Sequence, residues 1–182
     1  MILMGKDELV TKKALFFASK ELSRIGLNIN SGKVILFDSK DKFNQYWAFD
    51  IFDKLGDKED KKKIESAIDD YKKYLENKTE FRKDSVLNRI LNCNLKVVDI
   101  CKKQIILAEV LKDAFLINCE EWQLKKIYGI LGDEDKKSLK EKLEKLTNSV
   151  YFNKFHYVLL KLKDLFGFNE NQLKQKIDEL KF

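Results

Sequence analysis

Proline is absent from this chain of 182 residues, and arginine occurs only as Arg24, Arg82 and Arg89, while lysine is abundant. Lysine codons are A-rich and proline codons C-rich, so the two biases together point to an AT-rich coding sequence, that of a low-GC bacterium or one of its phages. Background lysine usage then accounts for much of the formal net charge of +6.

Histidine is nearly absent too: His156, within Phe155-His156-Tyr157, stands alone. A metal site needs several ligands at matched spacing, and no HxxxH or CxxC pair exists, so neither a metal nor another cofactor is expected. A nucleophile would also need a base within reach, and no signature residue accompanies His156. The carboxylate pairs Asp69-Asp70 and Glu120-Glu121 are neighbours that diverge on a helix. No catalytic residue is assigned, and the expectation is a protein that is not an enzyme.

The seven glycines are scattered singly. They make no phosphate-binding loop, and Gly26, Gly56, Gly132 and Gly167 read as helix stops. Cys93, Cys101 and Cys119 are odd in number, widely spaced and flanked by apolar residues, which suits small buried side chains in a reducing compartment rather than a disulfide framework. The N-terminus turns polar after Met4, and no stretch approaches the ~20 apolar residues of a membrane span. A cytoplasmic protein with no membrane association is the expectation.

What the chain does contain is helix. Hydrophobic residues make up 44% and charged residues 36%, enough apolar area for a core with the charges on solvated faces. Helical spacing predicts segments at Asp7 to Ile25 (Val10, Ala14, Phe17, Ala18, Leu22 and Ile25 inward), Ser39 to Leu55 and Lys58 to Glu76. A further segment starts near Ser85 and carries a sparsely charged stretch, Ile105 to Ile117, expected to be the central, most buried helix. Asn118 with Glu121 reads as a capping box opening a helix to Leu131; Asp133 opens another; Phe152 to Phe166 and a final helix capped by Asn169 complete the set. The fold class is therefore all-α: a single compact helical domain over 1–182, of seven or eight helices, with at most one short extended or β segment near residues 33–37. Leu55-Gly56-Asp57 and Leu131-Gly132-Asp133, each before a lysine-rich helix, outline a weak internal repeat of 47–104 and 122–182.

Charge is uneven. Between residues 71 and 104 nine Lys and Arg stand against four Asp and Glu. There Arg82, Arg89, Lys96 and Lys103 recur every seven residues, with Lys102 adjacent, so a continuous helix would align them in a ridge ~30 Å long able to neutralise phosphates or an acidic partner. Exposed-capable aromatics, Tyr46, Trp47, Trp122 and Tyr128 foremost, point to contact with a protein. The leading expectation is a non-enzymatic macromolecule-binding protein: an adaptor, regulator or phage- or mobile-element-type inhibitor acting by protein contact on a nucleic-acid-processing or other host machine. The alternative is largely sequence-nonspecific binding of nucleic acid through the ridge, and the third an enzyme of unfamiliar type.

Overall fold

The computed structural model describes residue 3, residues 5–30 and residues 34–180, and among these the chain holds twelve α-helices and no strand. They are α1 (Glu8–Arg24), α2 (Lys40–Trp47), α3 (Phe49–Lys54), α4 (Lys61–Glu76), α5 (Lys83–Leu91), α6 (Ile100–Val110), α7 (Asp113–Asn118), α8 (Glu121–Ile130), α9 (Asp133–Ser149), α10 (Asn153–Lys161), α11 (Lys163–Phe166) and α12 (Glu170–Glu179). The all-α class stands; the count exceeds seven or eight because several expected helices are interrupted. Of the segment at 33–37, Lys33 lies outside the described residues, and residues 34–37 form no strand. No described helix is long and apolar enough to cross a membrane.

The chain, expected to form one helical domain over 1–182, divides into two compact units, Met1–Gln45 and Tyr46–Phe182. In the first, the Asp7 carboxylate accepts from the Val10 backbone N–H at 2.8 Å and caps α1. No α1 side chain is fully buried. Phe17 and Ile25, expected to face inward, are 62% and 70% exposed. Ala14, Ala18 and Leu22, also expected to face inward, are half-buried. Ser39 accepts from the Lys42 N–H at 3.2 Å and caps α2, as its sequence position predicts.

In the second unit α4 packs against α3, α5 and α6, and α10 packs against α7, α8, α11 and α12. The buried side chains concentrate in α4 (Ile64, Ala67, Ile68, Tyr71), α5 (Val86, Leu87, Ile90, Leu91) and α10 (Phe155, His156, Val158, Leu159). The stretch from Ile105 to Ile117 is not the single central helix its composition predicts. It breaks at Leu111 and Lys112, and only Ile106, Val110 and Leu116 of it are buried.

Tertiary hydrogen bonds hold these breaks. A helix running through residue 48 would give the Tyr46 carbonyl the N–H of residue 50. That carbonyl instead accepts from the Arg82 N–H at 2.9 Å, and buried Ala48 takes a left-handed conformation, φ 52°, between α2 and α3. At the second break the Leu111 carbonyl accepts from Lys142 Nζ at 2.5 Å, and the same ammonium pairs with Asp113 at 2.8 Å. Lysine 142 of α9 thus fills an orphan carbonyl on one side of the break and neutralises the first residue of the next helix.

Capping also differs in detail. Asn118 ends α7, its amide donating to the Ala114 carbonyl at 2.8 Å; the box that opens α8 is made by Glu120 and Gln123, two residues later than predicted. Gly132, not Asp133, occupies the N-cap of α9, whereas Asn169 caps α12 as expected. The two Leu-Gly-Asp segments part company in backbone: Leu55 sits at φ −86°, ψ 11° and Leu131 at φ −81°, ψ 146°.

Candidate functional site

The first turn of α8 and the outer face of α10 enclose an open groove of about 480 Å³ lined by Glu120, Glu121, Trp122, Lys125, Lys154, Tyr157, Val158 and Lys161. Its position follows from two local facts. Gln123 is buried: its Oε1 accepts the Glu120 N–H and its Nε2 donates to Asn88 Oδ1, each at 2.5 Å, which fixes the start of α8 against α5. On α10, Phe155, Val158, Leu159 and Leu162 turn inward. Lys154, Tyr157 and Lys161, spaced by three and four residues, are therefore left on the outer face.

Trp122 is 37% exposed and Tyr157 47%. Around them the charges are paired within the groove: Lys154 pairs with Glu120, Lys125 with Glu121 at 2.6 Å, and Lys161 lies 3.9 Å from Glu121. The hydrogen bond from Lys125, reinforced by its charge, holds the Glu121 carboxyl below the usual carboxylate range. The groove thus offers two amphipathic rings within a border of three lysines and two carboxylates, in which Glu121 serves both Lys125 and Lys161.

Of the other aromatics, Tyr46 and Trp47 meet edge to face at 6.2 Å, and the Arg82 guanidinium lies 4.3 Å from the centre of the Trp47 ring. Tyr128 packs edge to face on Phe166 at 5.1 Å, with Lys136 Nζ 5.3 Å from its ring centre. On α8 it stands about 120° around the helix axis from Trp122. Tyr157 was not among the residues read from the sequence, although its helical spacing with Lys154 and Lys161 was a legible signal.

The basic ridge does not exist as a continuous helix. α5 ends at Leu91, α6 begins at Ile100, and residues 92–99 run between them without helix. Arg82 lies at the N-cap of α5 against Trp47. Lys102 is tied to Asp69 of α4. Arg89 remains on α5, Lys96 stands on the connecting loop, and Lys103 reaches back along α6 to the Lys96 carbonyl at 3.3 Å. The four cations of the seven-residue repeat and the adjacent Lys102 are thus spread over α5, the connecting loop and α6.

His156 is fully buried, with Nδ1 3.1 Å from the Phe152 carbonyl and Nε2 3.2 Å from the Thr147 carbonyl. Burial drives the Cys119 thiol up to about 12, with the neighbouring Glu120 charge adding to it, and raises the Cys93 thiol as well. Cys101, expected to be buried like the others, is exposed. Among the described residues no group of three or more His, Cys, Asp and Glu is placed to hold a metal ion. No protein-family model, no curated protein and no solved structure matches the chain.

Proposed function

We propose that the chain is a non-enzymatic binding protein, an adaptor, regulator or inhibitor that acts by protein–protein contact, with the groove between α8 and α10 as its contact surface. The observation that carries this reading is the pairing of Trp122 and Tyr157, two exposed rings, on a single groove whose border charges are already paired. Rings of this kind, apolar in body and polar at one end, supply much of the binding energy at protein interfaces, and a satisfied polar border excludes water around them. Matched carboxylates beside the lysines disfavour a polyanion there and suit a partner surface of mixed charge. The partner this reading carries forward is the one expected from the sequence, a nucleic-acid-processing or other host machine.

The test is site-specific photo-crosslinking in cells, with a benzophenone amino acid at position 157 and, as control, at Lys137 on α9, followed by nuclease treatment of the extract. A discrete protein adduct is expected from position 157, absent from position 137 and lost when Trp122→Ala is added. An adduct indifferent to Trp122→Ala, or none from position 157, would overturn the groove as the contact surface.

A further inference from the structure

Most charges on the second unit come in pairs: Lys54 with Asp70, Lys61 with Asp99, Lys83 with Glu109, Lys102 with Asp69, Lys142 with Asp113. Lys62, Lys78, Arg82, Lys137 and Lys145 also lack a carboxylate partner, but five cations without one, Lys58, Arg89, Lys96, Lys103 and Lys126, are grouped in one place. None of the five has a carboxylate oxygen within 4.0 Å among the described residues, and the Arg89 side chain has no acceptor at all, its Nε being buried and unpartnered.

Backbone and side-chain contacts bring these five cations together around the turn before α4 and the loop at 92–99. The Asn94 N–H donates to the Lys58 carbonyl at 2.9 Å, which joins the turn to the loop. Lys103 Nζ reaches the carbonyl of Lys96, within the loop, at 3.3 Å. The bond from Gln123 to Asn88 docks α8 on α5, and the charges of Lys126, one turn beyond Gln123, and of Arg89 both reach Cys93. Cys93 lies among them: burial raises its thiol, and the charges of Arg89, Lys58 and Lys126 all pull the other way. The nearby carboxylates keep their charges and so offset part of the cluster, although each already has a hydrogen-bond partner of its own. Glu59 accepts from the Asn94 amide at 2.7 Å, Asp57 from the Glu59 N–H at 3.0 Å, and Asp99 is held by Lys61 at 2.6 Å.

We infer that Lys58, Arg89, Lys96, Lys103 and Lys126 form a binding surface for the phosphodiester backbone of nucleic acid. Unpaired lysines and arginines carry loosely held anions and attract phosphates, and the free energy comes from counterion release, which requires no apolar centre. A protein partner would need such a centre, and the exposed apolar side chains of this stretch, Val97 and Ile100, are single residues of a kind any surface carries. The surface is separate from the groove in composition: unpaired cations here, matched pairs there. It also differs from the aligned ridge of the sequence reading, since Arg82 and Lys102 drop out and Lys58 and Lys126 enter.

The test is titration of labelled single-stranded and duplex DNA and RNA with the purified chain. With all five phosphate contacts made on a duplex, affinity should fall about 500-fold between roughly 50 and 200 mM salt, each contact contributing about 0.9 to the logarithmic slope. The double variant Lys58→Glu/Lys126→Glu should lose two of those contacts, leaving a fall of only about 40-fold and weaker binding at low salt. Lys137→Glu/Lys145→Glu, the same change in net charge on exposed positions of α9, should keep the wild-type slope. Binding of any of the four probes with this pattern supports the surface. Equal losses in the two double variants, no binding at about 50 mM salt, or displacement of the probe by polyglutamate as readily as by unlabelled DNA of equal charge would overturn it, the last in favour of an acidic protein segment.

Discussion

The Nε2 of His156 faces the carbonyl oxygen of Thr147 at 3.2 Å, and the opposite ring nitrogen faces that of Phe152 at 3.1 Å. Thr147 lies in the last turn of α9, whose carbonyls have no partner within the helix. The ring therefore spans the end of α9 and the entry to α10, with no exposure to water. A neutral imidazole donates to one of these carbonyls and the protonated ring to both. His156→Phe keeps a planar ring, though a larger one, and removes every donor, so it should lower unfolding stability by at least about 1–3 kcal/mol, the cost of leaving a carbonyl without its partner. Urea denaturation at neutral pH measures this, and a loss below about 0.5 kcal/mol, within the range of neutral surface changes, would show that the ring does not tie the two helices.

Gly129, inside α8, makes a second prediction possible. Its φ is not positive, and a Cβ added there would meet no atom within 4 Å outside the helix. Glycine in a helix interior costs about 0.5–1 kcal/mol relative to alanine through the freedom it loses on folding. Gly129→Ala should therefore raise the urea midpoint by that equivalent with the slope unchanged. A destabilised variant would show that α8 is not helical through this residue in solution.

Much of this fold was legible because its helices obey local rules. Asp7, Ser39 and Asn169 cap where their side-chain chemistry places them, and α4 shows its buried face in the spacing of Ile64, Ala67, Ile68 and Tyr71. The breaks were not legible, because the groups that stabilise them are distant in sequence: Arg82 supplies the N–H to Tyr46, and Lys142 caps Leu111. Hydrophobic periodicity runs through both points unchanged. The same holds for the candidate sites. Trp122 was readable as an aromatic with exposed-capable spacing, but that it lines one groove with Tyr157 depends on how α8 docks beside α10. Arg89, Lys96 and Lys103 were readable as a charge excess, and Lys58 and Lys126 joined them only through the contacts of Asn94 and Gln123.

Glu109 carries the pH dependence that can be assigned to one residue. Its carboxylate, on α6 and 11% exposed, accepts from Lys83 of α5 at 2.5 Å and from Lys112 at 2.7 Å. Burial by itself raises this carboxyl, but the hydrogen bonds from Lys112 and Lys83 and their charges outweigh it, and the net value lies below that of an ordinary glutamate. A carboxyl depressed in the folded state stabilises the protein fully above its unfolded value, about 4.3, and loses that contribution as pH falls through the lower, folded value. Glu109→Gln removes the charge and keeps the shape. At pH 7 the variant should be less stable by on the order of 1 kcal/mol, since both lysines are more than a third exposed and partly screened. As pH drops below about 4.3 the wild type should lose stability more steeply than the variant, and the gap between them should close. Paired urea titrations from neutral to acid pH decide it: parallel curves would mean that Glu109 gains nothing from Lys83 and Lys112 that water does not give it in the unfolded chain.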